Sequence, residues 1–245
     1  LAKFKAHSSM SFGAGSSNYI GDLATFSGLP SVAAQTMRWN AGFQYTRHFS
    51  PHFSTAISLQ YIRIAGDDNY FTSTGVFEGN YLRNLHFRND LQELSVSAVY
   101  EPMGNAENLS KRPLLSPYLY LGVAGFAHNP VARKDPNLVP GTPSLQAWHD
   151  LQPEDIEGAM YSLVNISIPF GFGFRYKIAA QMDLGFDFGY RVSLTDYLDD
   201  VSTTYIDKSL YQKYFIGDEF TRALALHNRQ NEINPSHTTA IGDIR

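Results

Sequence analysis

Between Gln181 and Leu194 the chain alternates without a break. Met182, Leu184, Phe186, Phe188, Tyr190, Val192 and Leu194 fall on one parity, and Asp183, Gly185, Asp187, Gly189, Arg191 and Ser193 on the other. A period of two places these sets on opposite faces of a β-strand. Just upstream, Val164, Ile166, Ile168, Phe170, Phe172, Phe174 and Tyr176 alternate with Asn165, Ser167, Pro169, Gly171, Gly173, Arg175 and Lys177. A turn near Ile178 and Ala179 makes the two runs a hairpin. Each is far longer than the ~5–6 residues of an ordinary soluble strand and fits the about 9–11 residues of a tilted membrane-crossing one.

The same period recurs at Phe4–Phe12, Met37–Tyr45, Phe53–Tyr61 and Leu94–Tyr100. A seventh strand, Tyr118–Phe126, carries apolar or small residues on both faces. The connections alternate in length. Ser16–Ala34, Ala65–Phe87 and Ala127–Met160 are long, whereas His48–His52 and Ile178–Ala179 are tight. Short turns on one side and long loops on the other are the signature of an outer-membrane barrel. A soluble sandwich also packs Phe and Tyr inside, but gives no reason for every second loop to be long. Tyr45, Phe49, Phe53, Tyr100, Tyr118 and Tyr176 all fall at strand ends beside the connections assigned to the periplasmic side, His48–His52, Ile178–Ala179 and the longer Glu101–Ser116, where an aromatic girdle is expected.

The expected fold is therefore all-β: a transmembrane up-and-down antiparallel β-barrel of about eight strands, forming a single domain over 1–245. An open edge would leave backbone groups unpaired in lipid, so an even strand count is expected. After Asp200 only Phe220–His227 and Thr238–Arg245 offer a closing strand, and neither alternates well. The expectation is that the closing strand lies outside this sequence.

Composition agrees with that picture. Aromatics make up 14% and charged residues only 17%, below the roughly 25% of soluble domains. No run approaches the ~18 apolar residues of a transmembrane helix. A mean hydropathy of −0.24 is what alternating strands average to. A formal charge of −4 argues against a nucleic-acid partner, and the absence of cysteine removes thiol chemistry and Cys-ligated metals.

Three blocks carry a family likeness. Ser17-Asn-Tyr-Ile-Gly-Asp-Leu23, Tyr120-Leu-Gly-Val-Ala-Gly-Phe-Ala-His-Asn-Pro130 and Gly189-Tyr-Arg-Val-Ser-Leu-Thr-Asp-Tyr-Leu-Asp-Asp-Val201 resemble the PorG-like outer-membrane barrels of the type IX secretion system. That resemblance implies an eight-stranded barrel in the bacterial outer membrane, and as partner the periplasmic ring of PorK and PorN.

Candidate chemistry is sparse. Arg175, Asp183, Asp187 and Arg191 share inward parity, and so do Arg38, Glu93 and Lys177. The interior of an eight-stranded barrel is only wide enough to be filled by side chains, so a plug of cross-strand ion pairs between the last two strands is expected. No His-Ser-acid set is legible at inward strand positions near the outer rim. Asp67 and Asp68, His149 and Asp150, and Asp199 and Asp200 are expected to be solvated turn formers. Asp196, Asp199 and Asp200 cluster oxygen ligands without the spacing of an EF-hand loop. The expectation is no catalysis, no cofactor, no metal and no small-molecule substrate.

The Glu101–Ser116 connection is the candidate partner site. It carries Met103, Leu109, Leu114 and Leu115 beside Lys111 and Arg112, apolar anchors next to cations. The chain thus reads as a non-enzymatic anchor for a periplasmic secretion assembly. The alternatives are a stand-alone structural or adhesive barrel, and a barrel hydrolase of lipid or peptide.

Overall fold

The computed structural model describes residues 4–24, 34–71, 78–104, 112–133, 148–151, 161–201, 207, 209, 212–213, 215–227 and 229–230. All seven strands read from alternation are present: β1 (His7–Ser17), β2 (Arg38–His48), β3 (Phe53–Asp67), β4 (His86–Tyr100), β5 (Leu115–Ala127), β8 (Val164–Ala179) and β9 (Met182–Ser193). They pair antiparallel in the order β1-β2-β3-β4-β5-β8-β9. Two short strands, β6 (Pro130–Arg133) and β7 (Trp148–Asp150), branch from the far end of β4. The fold is an all-β, strongly curled half-barrel. Among the described residues no helix is long and apolar enough to cross a membrane, which says nothing of strands.

β4 shows why these residues make this sheet. Glu93, Ser95, Ser97 and Val99 are buried on its inner face, while Leu94, Val96 and Tyr100 are 53%, 52% and 41% exposed on the outer one. This inverts the distribution of a soluble sheet, where polar residues face out. The parity holds across the hairpin. Phe170 pairs with Tyr190, Phe172 with Phe188 and Phe174 with Phe186, all outward, with ring centroids 5.7, 5.3 and 5.1 Å apart. Cross-strand aromatic pairs of this kind hold register. The turn itself sits at Ala180 and Gln181, two residues later than the pattern suggested.

The sheet curls far enough for its ends to meet on the long-loop side. Tyr19, just past β1, donates its hydroxyl to Asp199 Oδ2, past β9, at 2.9 Å. Among the described residues, no strand pairs with the free edges of β1 and β9. That is why even the inward residues of these two strands are mostly exposed.

Tyr118 departs from expectation. It is 8% exposed and inward, so it belongs to the lumen and not to the girdle, whereas Phe49, Phe53, Tyr100 and Tyr176 are exposed as expected. The outward series on β5 is Leu119, Leu121 and Val123. The inward Tyr118 and Tyr120 lie across β8 and β9 where glycine leaves room. A Cβ on Gly173 would meet the Tyr118 ring at 2.5 Å, and one on Gly171 the Tyr120 hydroxyl at 2.8 Å.

On the long-loop side a cap replaces what read as open loops. β3 and β4 stay paired out to Asp67–His86, beyond the point where alternation stops. Here both faces are buried. Leu23, Ile64, Phe87, Phe126, Val201 and Leu226 form one apolar cluster. Leu226 comes from α2 (Asp218–His227), whose acidic start suits the partial positive charge of a helix N-terminus. A short helix, α1 (Glu78–Arg83), follows a 3-10 turn at Asp68–Tyr70.

Candidate functional site

The lumen holds the charges, but their partners differ from those expected. Arg175, Asp183, Asp187 and Arg191 do not pair with one another between β8 and β9. Register explains this: Gly185 stands opposite Arg175, and Gly173 opposite Asp187. Arg175 and Asp187 thus have no side chain across from them, and Arg191 faces Pro169, which offers no charge, so these groups reach further. Arg191 Nε donates to both Glu93 oxygens at 2.9 and 3.1 Å, and its Nη2 to Gln60 Oε1 at 2.8 Å. Arg175 Nη2 donates to Glu101 Oε1 at 2.8 Å, with its guanidinium 4.8 Å from the Tyr118 ring centroid. Tyr118 donates to Asp187 Oδ2 at 2.7 Å. Asp183 is paired with Arg112. Each charge is matched, as charges leaving water must be.

At the turn-side mouth, sequence reasoning missed a cluster around His48. Its Nε2 lies 3.0 Å from Ser9 Oγ and its Nδ1 2.7 Å from Ser54 Oγ, with Glu101 Oε1 at 3.5 Å. Ser9, His48 and Ser54 are inward by parity, but they lie on three strands, so no local spacing links them. His7 stacks on His48 with ring centroids 4.5 Å apart. The set has the composition of a serine hydrolase triad. However, Ser54 takes the Nδ1 hydrogen bond and Glu101 is committed to Arg175, so the acid does not orient the imidazole as a triad requires.

Glu101 is placed by its turn. Its amide donates to the His52 carbonyl at 2.8 Å, and Gly104 N donates back to the Glu101 carbonyl at 3.0 Å. Pro102 takes the second position of this turn, which its fixed φ favours. Of the candidate partner residues, Met103 and Leu114 are 63% and 60% exposed on the rim. Leu115 is the first residue of β5 and 48% exposed. Arg112 is strapped to the β8–β9 turn by Asp183 and by the Ala179 and Ala180 carbonyls at 3.0 and 3.2 Å. It therefore ties the start of β5 to the β8–β9 turn. Leu109 and Lys111 lie outside the described residues.

With that geometry in view, one family comparison is informative. DUF6089, a domain of unknown function, matches residues 5–136, more than half of the chain. The chain belongs to the DUF6089 family. No curated protein and no solved structure matches it. The matched span of this DUF6089 chain runs from before β1 through β6, so it contains Glu93, Glu101 and His48 but not the arginines of β8 and β9.

The cap of this DUF6089 protein corrects another expectation. Asp67, Asp68, Asp199 and Asp200 are buried, not solvated turn formers. Asp67 binds Arg133 Nη2 at 2.7 Å, and Asp68 forms a two-pronged pair with Arg83 at 2.8 and 2.9 Å. Asp199 and Asp200 diverge to Tyr19 and Tyr161, so they do not converge on a common point. The side chains of His149 and Asp150 lie outside the described residues.

Burial pushes Asp199 up to about 7, with help from the negative charge of Asp22. Burial also raises Asp68, against the pull of Arg83. A carboxyl raised on folding keeps its proton in the folded state after the unfolded chain has lost it. Its contribution is fully present below the unfolded value near 3.8 and is lost as pH rises through about 7. The cap should therefore loosen between about pH 4 and 7. Hydrogen exchange of the Tyr19–Ala24 amides should accelerate across that window, and Asp199→Asn should flatten most of the dependence. A wild-type exchange profile that reflects only base-catalysed chemistry would show that Asp199 is charged in the fold.

Proposed function

We propose that this DUF6089 protein is a non-enzymatic outer-membrane barrel that anchors a periplasmic protein-secretion assembly, in the manner of the PorG-like barrels it resembles. The observation that carries the reading is the turn-side rim. Met103 and Leu114 stand exposed there, as do Phe49, Phe53, Ile178 and Met182 on the neighbouring strand ends and turns, while Arg112 is tied to the β8–β9 turn. Exposed apolar groups grouped on one rim are what a docking partner buries. The geometry of the barrel points the same way. The opposite side is occupied by the cap, and the other turns, at Ser50–His52 and Ala180–Gln181, are too short to project far. The partner is the periplasmic ring built from PorK and PorN. The inverted outer face supports an outer-membrane location, since a wide apolar belt is stable only against lipid.

A hydrolase reading would rest on Ser9, His48 and Glu101, and the Arg175–Glu101 pair argues against it.

The test is to replace residues 103–111 by a two-residue turn together with Leu114→Ser, which keeps Glu101 on Arg175, Arg112 on Asp183 and β5 intact. The shortened protein should keep its heat-modifiable migration on a gel and lose its periplasmic partners in a detergent pull-down. Recovery of the ring at normal yield would remove this loop as the docking element.

A further inference from the structure

Three histidines gather at the turn-side mouth, at the feet of the two turns that carry Phe49 and Met103. His7 is the first residue of β1, His48 the last of β2, and His52 lies in the turn between β2 and β3. His7 and His48 stand opposite each other in the ladder, and their rings stack with centroids 4.5 Å apart and planes 16° apart. Phe4 leans on His7, with ring centroids 5.8 Å apart. His48 is 1% exposed, so the stack has a buried side. Glu101 meets the cluster twice. Its carboxylate lies 3.5 Å from His48 Nδ1, and its carbonyl accepts from His52 Nδ1 at 2.9 Å.

The charges around the stack balance only while both rings are neutral. Ser9 on β1 and Ser54 on β3 meet the two nitrogens of His48, and the Lys5 carbonyl accepts from His7 Nδ1 at 3.2 Å. From β8, Arg175 already binds the Glu101 carboxylate, and Arg112 is paired with Asp183 of β9. The Lys5 side chain is exposed. With both imidazoles protonated, one carboxylate would have to answer His7, His48 and Arg175 together. Burial opposes the charge on Glu101, but His48 and Arg175 outweigh it and hold that carboxyl below its ordinary range, so acid loads the rings first. β2 is paired to strands on both sides, whereas among the described residues β1 is paired to β2 alone. Repulsion between the rings therefore moves the start of β1 more readily than β2.

We propose that the docking rim carries a proton-operated latch, in which protonation of the stacked His7 and His48 drives the start of β1, with Phe4, off β2 and loosens the hold on the partner. The latch rests on the reading of this rim as the docking face, and adds its regulation. Separated rings take up both protons freely and the stacked pair resists the second, so acid favours the open form. Phe49 follows His48 directly, and Met103 sits in the turn that begins at Glu101, so the change reaches the apolar groups of the rim.

The experiment takes the full chain in detergent from about pH 7.5 to 5.5, the range in which imidazole side chains take their proton. Exchange of the β2-facing amides of residues 8–11, corrected for intrinsic chemistry, should accelerate roughly tenfold, the order that two like charges this close produce under solvent screening. That sign is opposite to the loosening of the cap, which grows as pH rises. Recovery of the periplasmic ring in a pull-down should fall over the same range. His7→Phe keeps a ring on His48 without the proton, and should hold both readouts level. His48→Gln can still hydrogen-bond Ser9 and Ser54, and serves if His7→Phe does not fold. Exchange that stays level in wild type, or accelerates equally in the folded variants, would overturn the latch. Ring recovery that ignores pH while exchange responds would overturn its regulatory role. A wild type that recovers no ring at either pH removes the docking reading instead, and the exchange arm still decides whether the stack opens.

Discussion

Replacing Glu93 by leucine should destabilise the folded protein by about 3 kcal/mol, the low end of the cost of breaking a buried ion pair. Glu93 is 3% exposed, and both its oxygens accept from Arg191 Nε. Removing the carboxylate leaves the guanidinium in the lumen with Gln60 as its remaining partner. The low end applies because the Arg191 side chain still meets solvent over 28% of its surface. The sign of the second mutation separates a charge effect from a packing effect. Arg191→Met added to Glu93→Leu should recover most of the loss, since the orphaned charge is gone and both residues are apolar. The measurement is denaturant unfolding in micelles. A double variant no more stable than Glu93→Leu would mean that the carboxylate supports the sheet by packing, not by neutralising Arg191.

The pair also shows what alternation can and cannot carry. Parity placed Glu93, Arg175, Asp187 and Arg191 on the inner face, because facing depends only on odd or even position. It could not choose their partners. Those contacts cross the curled sheet from β9 to β4 and β3, a distance set by curl and by which opposite residues are glycine. The adjacent-strand pairing expected for β8 and β9 failed for that reason. The His48 cluster was invisible on the same ground, because its members lie on three strands.

The cap was the other loss. Alternation is a signal of one wet or lipid-facing side and one packed side. From Ile62 onward β3 is buried almost throughout, with Ile64, Ala65, Gly66 and Asp67 all inside. Once both faces are covered the period disappears, so the ends of β3 and β4 read as loop. Gly66 marks the closeness of that covering: a Cβ there would fall 2.8 Å from both Leu23 and Phe87. The acidic pairs were misread because Asp favours turns in general, whereas here arginines and tyrosines distant in sequence bury them. Tyr118 was legible in principle. Its parity matches Tyr120 and Phe126, and parity outranks position at a strand end in setting which face a side chain takes.

Phe186→Arg should cost roughly 2–4 kcal/mol in lipid, the price of an arginine at the middle of a bilayer-facing strand. Phe186 points outward opposite Phe174, with Phe172–Phe188 beside it and Tyr190 and Tyr176 toward the two ends of the hairpin. It therefore sits within the aromatic belt and away from either boundary, where snorkelling would relieve the charge. Leu194→Arg, near the end of the same outward series, should cost much less. So should Asp183→Asn, inward and one-fifth exposed, where the change removes a single ion pair to Arg112. The gradient along one parity of one strand is the informative quantity, because a soluble sheet has no reason to show it. In a soluble sheet Phe186, already 47% exposed, would accept arginine within the ±0.5 kcal/mol of an ordinary surface change. Unfolding free energies measured in vesicles decide between the two. A flat profile from Phe186 to Leu194 would mean that the outward aromatic face of β9 does not meet lipid.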